Sequence, residues 1–220
     1  MVYTIFMSRS IKLALLDFDG TLISQDVLDL LCKINGKEKE SKKLDKAFHQ
    51  GKMKGLDSLI KRINLLAGIT ISQVNNLLEQ NPHLMPGVNK LMGFFKKHNI
   101  ITILASGNIL PVLKYYQELL GIDYVVGSNP IIQNGTISGI SSANYSSSDF
   151  KGDGIRAHLS KFGFVKDQII AIGDSPGDKG MFSLSGFNIA INPKGDIADF
   201  ADEVIQDDLN KAVTILKNRI

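Results

Sequence analysis

An apolar run near the start of the chain ends at two aspartates that stand two residues apart. The run Leu13-Ala-Leu-Leu16 leads directly into Asp17-Phe-Asp19. A short, continuous apolar run is typical of a parallel β-strand that is buried on both faces. Open α/β sheets bind their ligands at the carboxyl ends of such strands. We therefore expect Asp17 and Asp19 at the ligand-binding edge of a parallel sheet, where an extended chain would point both carboxylates the same way.

The composition is that of an ordinary globular protein. A chain of 220 residues suits one domain with a large insertion, or two small domains. With 44% hydrophobic and 21% charged residues, the chain is not expected to be disordered. A net charge of +3 gives no reason to expect a nucleic-acid partner. No apolar run approaches the roughly 18 residues of a membrane-spanning helix, so we expect no membrane partner.

Targeting and redox signals favour a cytoplasmic protein. The first six residues contain no basic leader, so we expect a short extension instead of a signal peptide, with Met7 as an alternative start. Cys32 is the only cysteine, which excludes an internal disulfide and makes a reducing cytoplasm the simplest location. Cys32 lies in an apolar helical series, which favours a buried core residue over a catalytic thiol. The sequence leaves the oligomeric state open.

Hydrophobic periodicity divides the chain into two parts. Apolar residues recur at helical spacing between residues 25 and 83, and no strand-like run interrupts them. Strands then alternate with helices, which predicts a parallel sheet covered on both faces. We therefore predict an α/β fold with a Rossmann-like, doubly wound core at residues 1–24 and 84–220. A small helical cap domain, residues 25–83, would be inserted after the first strand. Asn134-Gly135 additionally predicts a two-residue β-hairpin turn.

Two later strands also end in polar residues. One leads into Ser106-Gly107-Asn108, and the other leads into Gly173-Asp174, with Asp178 four residues further on. Because the carboxyl ends of parallel strands share one edge of the sheet, we expect a single site there. It would gather four carboxylates, Asp17, Asp19, Asp174 and Asp178, which raise one another's pKa unless a cation compensates them. Oxygen ligands without a His or Cys cluster favour Mg²⁺ over zinc.

These strand ends resemble the signature motifs of the haloacid dehalogenase superfamily of phosphohydrolases, most closely those of its phosphoserine phosphatase-like group. The motifs occur in the family's order: Asp17-Phe-Asp19-Gly-Thr21, Ser106-Gly107, Lys151-Gly152, and Gly173-Asp174 with Asp178. They span most of the chain. An ordered set of four motifs is far more specific than an isolated Asp-x-Asp-x-Thr.

The resemblance implies a role for each of these residues. Asp17 would be the nucleophile that forms an aspartyl-phosphate, and Asp19 would act first as general acid and then as general base. Ser106 and Gly107 would bind the phosphoryl oxygens, and Lys151 would neutralise both the phosphate and the nucleophile. Mg²⁺ would be held by the Asp17 carboxylate, the Asp19 backbone carbonyl and Asp174, with Asp178 orienting Lys151 or a metal-bound water.

The resemblance also implies a substrate-binding pair in the predicted cap. Asp26 stands where the family has a glutamate for a substrate amine, and Arg62 where it has an arginine for a substrate carboxylate. Together they would recognise an amino-acid head group, although Arg62 is equally compatible with a solvated helix face. The chain departs from the family at two positions. Asp26 is one methylene shorter than glutamate, and Gly177 lacks the amide side chain of the family's Gly-Asp-Gly-x-Asn-Asp run.

The sequence thus predicts a Mg²⁺-dependent phosphatase that hydrolyses a small phosphomonoester, with phosphoserine as the leading candidate. One alternative is a phosphotransferase or phosphosugar mutase that passes the same phosphoryl group to a sugar hydroxyl. Another is a non-catalytic binding protein on the same fold. Single residues also have structural interpretations: Ser106 or Asn108 would cap the next helix, and Lys151 would be a solvated surface lysine.

Overall fold

The computed structural model describes residues 10–219, so the extension expected over residues 1–6 and the alternative start at Met7 lie outside the described residues. Eight β-strands occur in this range: β1 (Leu13–Leu16), β2 (Ile101–Ile109), β3 (Tyr124–Ser128), β4 (Ile131–Gln133), β5 (Thr136–Gly139), β6 (Ile169–Gly173), β7 (Phe187–Ile191) and β8 (Glu203–Ile205). Six of them form one parallel sheet in the order β3-β2-β1-β6-β7-β8. This order is that of a doubly wound α/β sheet, which confirms the predicted core.

Nine α-helices accompany these strands in the described part of the chain. They are α1 (Val27–Ile34), α2 (Glu38–His49), α3 (Gly55–Asn64), α4 (Ile71–Gln80), α5 (Val88–Lys97), α6 (Leu110–Leu120), α7 (Phe150–Phe162), α8 (Lys179–Ser183) and α9 (Asn210–Leu216). The first four follow one another between β1 and α5, as the helical spacing predicts. The division of the chain into domains at residues 25 and 83 stays a prediction. Within residues 10–219, none of the helices has the length and apolar content needed to cross a bilayer.

Strand β1 is buried on both faces, as its apolar run predicts. Leu13 and Leu15 pack into one hydrophobic cluster, and Ala14 and Leu16 pack into the cluster on the opposite face of the sheet. All four side chains are inaccessible to solvent. Burying a leucine side chain contributes about 1.5–3 kcal/mol, so both clusters hold this strand firmly. The position of Asp17, one residue beyond the end of β1, is therefore well defined.

The Asn-Gly pair forms the predicted hairpin turn. Asn134 and Gly135 both have positive φ angles, 48° and 75°, as a type I′ turn between antiparallel strands requires. Strands β4 and β5 pair on either side of it. The hairpin also forms backbone hydrogen bonds with the segment between α3 and α4. Gly68 N–H donates to Ile137 O, and Ile137 N–H donates to Ile69 O, both at 2.9 Å. This attachment of the helical segment is not apparent from the sequence.

Cys32 is a core residue, in agreement with its apolar surroundings. Its side chain is fully buried in α1, and its sulfur lies 3.8 Å from the backbone carbonyl oxygen of Arg62. Burial raises the pKa of the Cys32 thiol to about 11. Because the thiolate is the reactive form of cysteine, both the burial and the raised pKa argue against a catalytic role.

Candidate active site

The carboxyl ends of β1, β2 and β6 lie side by side in the sheet, and they bring the predicted site residues to one place. Asp17 directly follows β1, Asp174 directly follows β6, and Ser106 lies near the end of β2. All three residues are at most 5% exposed. Together with Asp19 and Lys151 they line a single cavity of about 920 Å³. The site therefore sits at the switch point of the doubly wound sheet, where this class of fold binds its ligands.

Asp17 is paired with Lys151 inside the protein. The ammonium group of Lys151 donates to Asp17 Oδ1 at 2.8 Å and to Asp178 Oδ1 at 3.0 Å, and Thr21 donates to Asp17 Oδ2 at 3.1 Å. Burial and the neighbouring Asp178 charge raise the pKa of Asp17 well above its ordinary value. Burial alone would lower the pKa of Lys151, but its two aspartate partners raise it. Lys151 therefore remains a cation and is not a solvated surface lysine.

Lys151 owes its position to the early start of α7. This helix begins at Phe150 because the side chain of Asp149 accepts a hydrogen bond from Gly152 N–H and caps it. Lys151 consequently lies in the first helical turn, from which it reaches Asp17.

Asp178 holds the loop that follows β6. Its Oδ2 atom accepts hydrogen bonds from the backbone N–H groups of Asp174 at 3.0 Å and Ser175 at 3.1 Å, while Oδ1 faces Lys151. The side chain is fully buried. These contacts agree with the predicted orienting role of Asp178, which stays a prediction.

Asp19 has surroundings quite different from those of Asp17. Its carboxylate accepts hydrogen bonds from Val27 N–H at 2.8 Å and from the Asn108 amide at 3.1 and 3.3 Å. The pKa of Asp19 is raised to about 7, mainly by burial and to a smaller extent by the negative charge of Asp26. A carboxyl group with a pKa near neutrality is suited to give and take a proton in turn.

Asn108 is a site residue whose role the sequence does not reveal. The sequence allows Ser106 or Asn108 to cap the next helix, but α6 begins after Ile109 and has no side-chain cap, so that interpretation is wrong. Ser106 Oγ instead accepts a hydrogen bond from Asn108 N–H at 3.0 Å, and the Asn108 amide contacts Asp19. Gly107 lies between them on the cavity wall. The position of Asn108, directly after the Ser-Gly pair, is the one signal that points to this role.

Three carboxylates offer a site for a metal ion. Asp17, Asp174 and Asp178 are buried, and each provides an oxygen within 4.8 Å of the others. A cluster of oxygen donors with a surplus of negative charge fits a hard divalent cation such as Mg²⁺. The predicted ligand set contains Asp17 and Asp174 together with the backbone carbonyl of Asp19. The Asp19 carboxylate itself faces Val27 and Asn108.

Lys194 is a second cation at this site that the sequence analysis did not identify. Its ammonium group donates to Asp174 Oδ2 at 2.6 Å, and its backbone N–H donates to the Asp174 carbonyl oxygen at 2.7 Å. Gly20 lies against the same carboxylate with φ +89°, and a Cβ atom there would come within 2.0 Å of Asp174 Oδ2. The motif glycine therefore provides both the backbone conformation and the space that Asp174 needs.

Arg62 lies in the same cavity as Asp17 but is surrounded by side chains of its own chain. Its Nε donates to Ser41 at 2.9 Å, Nη1 to Asp45 at 3.1 Å, and Nη2 to Asp26 at 2.6 Å and Asp29 at 3.1 Å. Arg62 is only 7% exposed, so the alternative interpretation of Arg62 as a residue on a solvated helix face is wrong. Asp26 also caps α1 by accepting from Asp29 N–H at 3.0 Å. The substrate-binding roles of Asp26 and Arg62 stay predictions.

Comparison with known proteins places this site in a family. A family model described as haloacid dehalogenase-like hydrolase matches residues 14–183. A phosphoserine phosphatase of Methanocaldococcus jannaschii is 27% identical over 96% of this chain and the whole of the relative. Another, from Campylobacter jejuni subsp. doylei, is 27% identical over 94% of this chain and the whole of the relative.

Solved structures show the same similarity. A phospho-aspartyl intermediate analogue of phosphoserine phosphatase superimposes with a TM-score of 0.83 at 26% identity, covering 94% of this chain and 99% of the other. A substrate-bound phosphoserine phosphatase complex also gives 0.83, at 25% identity and with 94% and 98% covered.

The chain belongs to the haloacid dehalogenase-like hydrolases. Within that family it falls in the phosphoserine phosphatase-like group, and its reaction class is that of a phosphatase. The family, the fold and the enzyme class predicted from the sequence are therefore confirmed. The non-catalytic binding protein considered as an alternative is not supported.

Proposed function

We propose that the protein is a Mg²⁺-dependent phosphatase that hydrolyses a small phosphomonoester through an aspartyl-phosphate on Asp17. The observation that carries this proposal is the Asp17–Lys151 pair, 2.8 Å apart and buried at the wall of the cavity. A buried carboxylate in a fixed position can act as a nucleophile. The cation beside it can offset the negative charge of a bound phosphate. Asp19 faces the same cavity and provides the second carboxyl group that the reaction needs.

In the first step, a carboxylate oxygen of Asp17 attacks the phosphorus atom and the bond between phosphorus and the ester oxygen breaks. Protonated Asp19 gives its proton to that oxygen, so the product leaves as a neutral alcohol. Ser106 and the backbone N–H groups around Gly107 donate hydrogen bonds to the phosphoryl oxygens. Lys151 offsets the negative charge that accumulates next to Asp17.

In the second step, water attacks the phosphorus atom of the aspartyl-phosphate while Asp19 accepts a proton from that water. The bond between phosphorus and Asp17 breaks, and inorganic phosphate leaves. Asp17 is again a free carboxylate, and Asp19 is again protonated. When bound, Mg²⁺ supplies positive charge to the phosphoryl oxygens. Asp17 and Asp174 would hold it, with the Asp19 carbonyl as the third predicted ligand.

The cavity and the relatives together indicate the size and kind of substrate. A volume of about 920 Å³ suits a small phosphorylated metabolite. Because the relatives are named phosphoserine phosphatases, phosphoserine is the reference substrate against which others should be compared. A single buried cysteine supports a cytoplasmic location.

Phosphate release from a panel of phosphomonoesters tests this function. We expect Mg²⁺-dependent release from p-nitrophenyl phosphate and from small phosphomonoesters, and a loss of at least about 100-fold after chelation, because the metal contributes several kcal/mol of charge stabilisation. Isomerisation of a sugar phosphate without phosphate release would indicate the mutase alternative. If no compound were turned over above the background of an Asp17→Asn variant, the proposal would be wrong.

Gly177→Asn should increase the catalytic efficiency. Gly177 lines the cavity, and a Cβ atom there would contact only Ser175 Oγ, at 3.6 Å, among the described residues. An asparagine therefore fits, and it restores the amide of the family motif. One added hydrogen bond of about 1 kcal/mol would raise kcat/KM roughly fivefold. Gly177→Ala is the control, because it changes the backbone freedom without adding an amide. Equal kcat/KM values for the two variants would contradict the prediction.

A further inference from the structure

We infer that Tyr145 and Ser128 are positioning residues for phosphate binding, because their hydroxyl groups begin a chain of hydrogen bonds that ends on the Ser106 hydroxyl. Neither residue belongs to the four sequence motifs of the site. The inference rests on the proposed function, since it concerns how the same site holds the phosphoryl group. It gives two side chains outside the cavity a part in orienting a hydrogen-bond donor inside it.

The 106–108 segment, which carries that donor, leaves the regular register of the sheet. Before it, Ala105 pairs with Val126 on β3, and after it, Ile109 pairs with Ser128. Three residues of β2 therefore lie opposite one residue of β3. A bulge of this kind takes backbone groups out of the regular ladder. Contacts other than ladder hydrogen bonds must therefore fix the shape of the segment.

Ser128 supplies one such contact. It is a buried residue, and its hydroxyl donates to the carbonyl oxygen of Gly107 at 2.7 Å. This carbonyl and the N–H group of Asn108 belong to one planar peptide group, so fixing the direction of one fixes the other. The Asn108 N–H donates to Ser106 Oγ at 3.0 Å. Because this bond uses a lone pair of Ser106 Oγ, the hydroxyl proton can point to another acceptor, which in the proposed function is a phosphoryl oxygen.

Tyr145 determines the direction of this chain. Its phenol donates to Ser128 Oγ at 2.8 Å. A serine hydroxyl has one proton, and the proton of Ser128 is therefore directed to Gly107. Burial raises the pKa of the Tyr145 phenol above its ordinary value, so the phenol keeps its proton at neutral pH. Successive hydrogen bonds in one direction polarise one another. The Tyr145 hydroxyl should therefore make the Ser106 hydroxyl a stronger donor to phosphate.

The position of Tyr145 allows it to act from behind the cavity wall. It is partly buried, whereas the loop residues on either side of it are exposed. Its ring packs edge-on against that of Phe150, the first residue of α7, with the ring centroids 4.8 Å apart. Among the described residues, the cavity wall includes Gly107 and Phe150 but neither Ser128 nor Tyr145. A bound substrate would therefore not compete for the hydrogen bonds of these two hydroxyl groups.

The experiment measures kcat/KM for p-nitrophenyl phosphate and Kd for inorganic phosphate, both with Mg²⁺ present. Tyr145→Phe removes only the hydroxyl and should lower kcat/KM and raise Kd about fivefold, the effect of one hydrogen bond. Ser128→Ala removes the next donor and should change both values about tenfold or more. Tyr115→Phe is the matched control. Tyr115 is also partly buried, but its phenol donates to the Leu78 carbonyl oxygen at 3.3 Å and joins α6 to α4, so both values should stay unchanged.

A double variant separates positioning from a merely structural effect. If Tyr145 acts through Ser106, adding Tyr145→Phe to Ser106→Ala should leave Kd for inorganic phosphate unchanged, because the hydroxyl at the end of the chain is already absent. An effect that reached the site through Lys151 or the start of α7 would appear in both backgrounds. Calorimetry measures this Kd without turnover, so it also works for a variant of low activity.

The outcomes separate this inference from the proposed function. Equal values for Tyr145→Phe and the wild type, or equal changes in Tyr115→Phe, would overturn the inference alone. So would a loss of phosphate affinity that Tyr145→Phe causes equally in the wild type and in Ser106→Ala. If the wild type released no phosphate from any phosphomonoester in the panel, the proposed function would fail, and this inference with it.

Discussion

Asp17→Asn is expected to abolish phosphate release while leaving the fold at least as stable as that of the wild type. The variant removes the nucleophile, and losses from removing a nucleophile reach about 10⁴-fold or more. Burial and the Asp178 charge raise the pKa of Asp17, which means that the folded protein disfavours its ionised form. A neutral amide of the same size removes that unfavourable charge at neutral pH. Lys151 retains Asp178 as a partner.

The measurement combines phosphate release with the thermal unfolding midpoint. Asp167→Asn, at an exposed position outside the cavity, is the matched control and should retain both activity and stability. If Asp17→Asn kept more than about a tenth of the wild-type rate, a different residue would have to be the nucleophile. A large drop in the midpoint would instead show that the pair with Lys151 stabilises the fold more than the buried charge destabilises it.

Lys151→Met is expected to abolish activity and also to destabilise the protein. The lysine side chain is only 16% exposed and lies between the buried carboxylates of Asp17 and Asp178. Removing one member of a buried ion pair leaves charge without compensation and costs about 3–5 kcal/mol in the free energy of unfolding. Activity falls as well, because the phosphoryl group loses its fixed cation.

Urea denaturation measures the change in the free energy of unfolding. Lys90→Met, on the exposed face of α5, is the control and should change it by no more than about 0.5 kcal/mol. The double variant Lys151→Met/Asp17→Asn should be more stable than Lys151→Met alone, since one of the two uncompensated charges is gone. Strictly additive effects would contradict the proposed coupling of these two residues.

The sheet and the strand-end residues were predictable because both depend on local patterns. Apolar runs mark β1, β2, β6 and β7, and the rule that parallel strands share a ligand-binding edge brings Asp17, Ser106 and Asp174 together. Strand β8 has no such signal. It is a three-residue edge strand in which Glu203 and Val204 are exposed, and only Ile205 is buried. Edge strands of this kind are too short for the alternation of apolar and polar residues to be recognised.

The surroundings of Arg62 were not predictable in the same way. Helical spacing predicts helices between residues 25 and 83, but it does not show how α1, α2 and α3 are rotated against one another. The partners of Arg62 come from the start of α1, from the middle of α2 and from Asp29 within α1. Asn108 and Lys194 are similar cases, because their contacts with Asp19 and Asp174 join residues that lie far apart in the chain.

The hydrogen bonds between the β4–β5 hairpin and residues 68–71 couple the hairpin to helices α1–α4. Helices α1–α4 are joined to β1 and α5 by two connections, residues 17–26 and 81–87. The hairpin hydrogen-bonds to the helical segment through Ile137 and Gly135, and it has two connections of its own, residues 129–130 and 140–149. A motion that separates α1–α4 from the sheet without breaking these bonds must therefore carry the hairpin along. Such a motion would bend the chain at four connections instead of two.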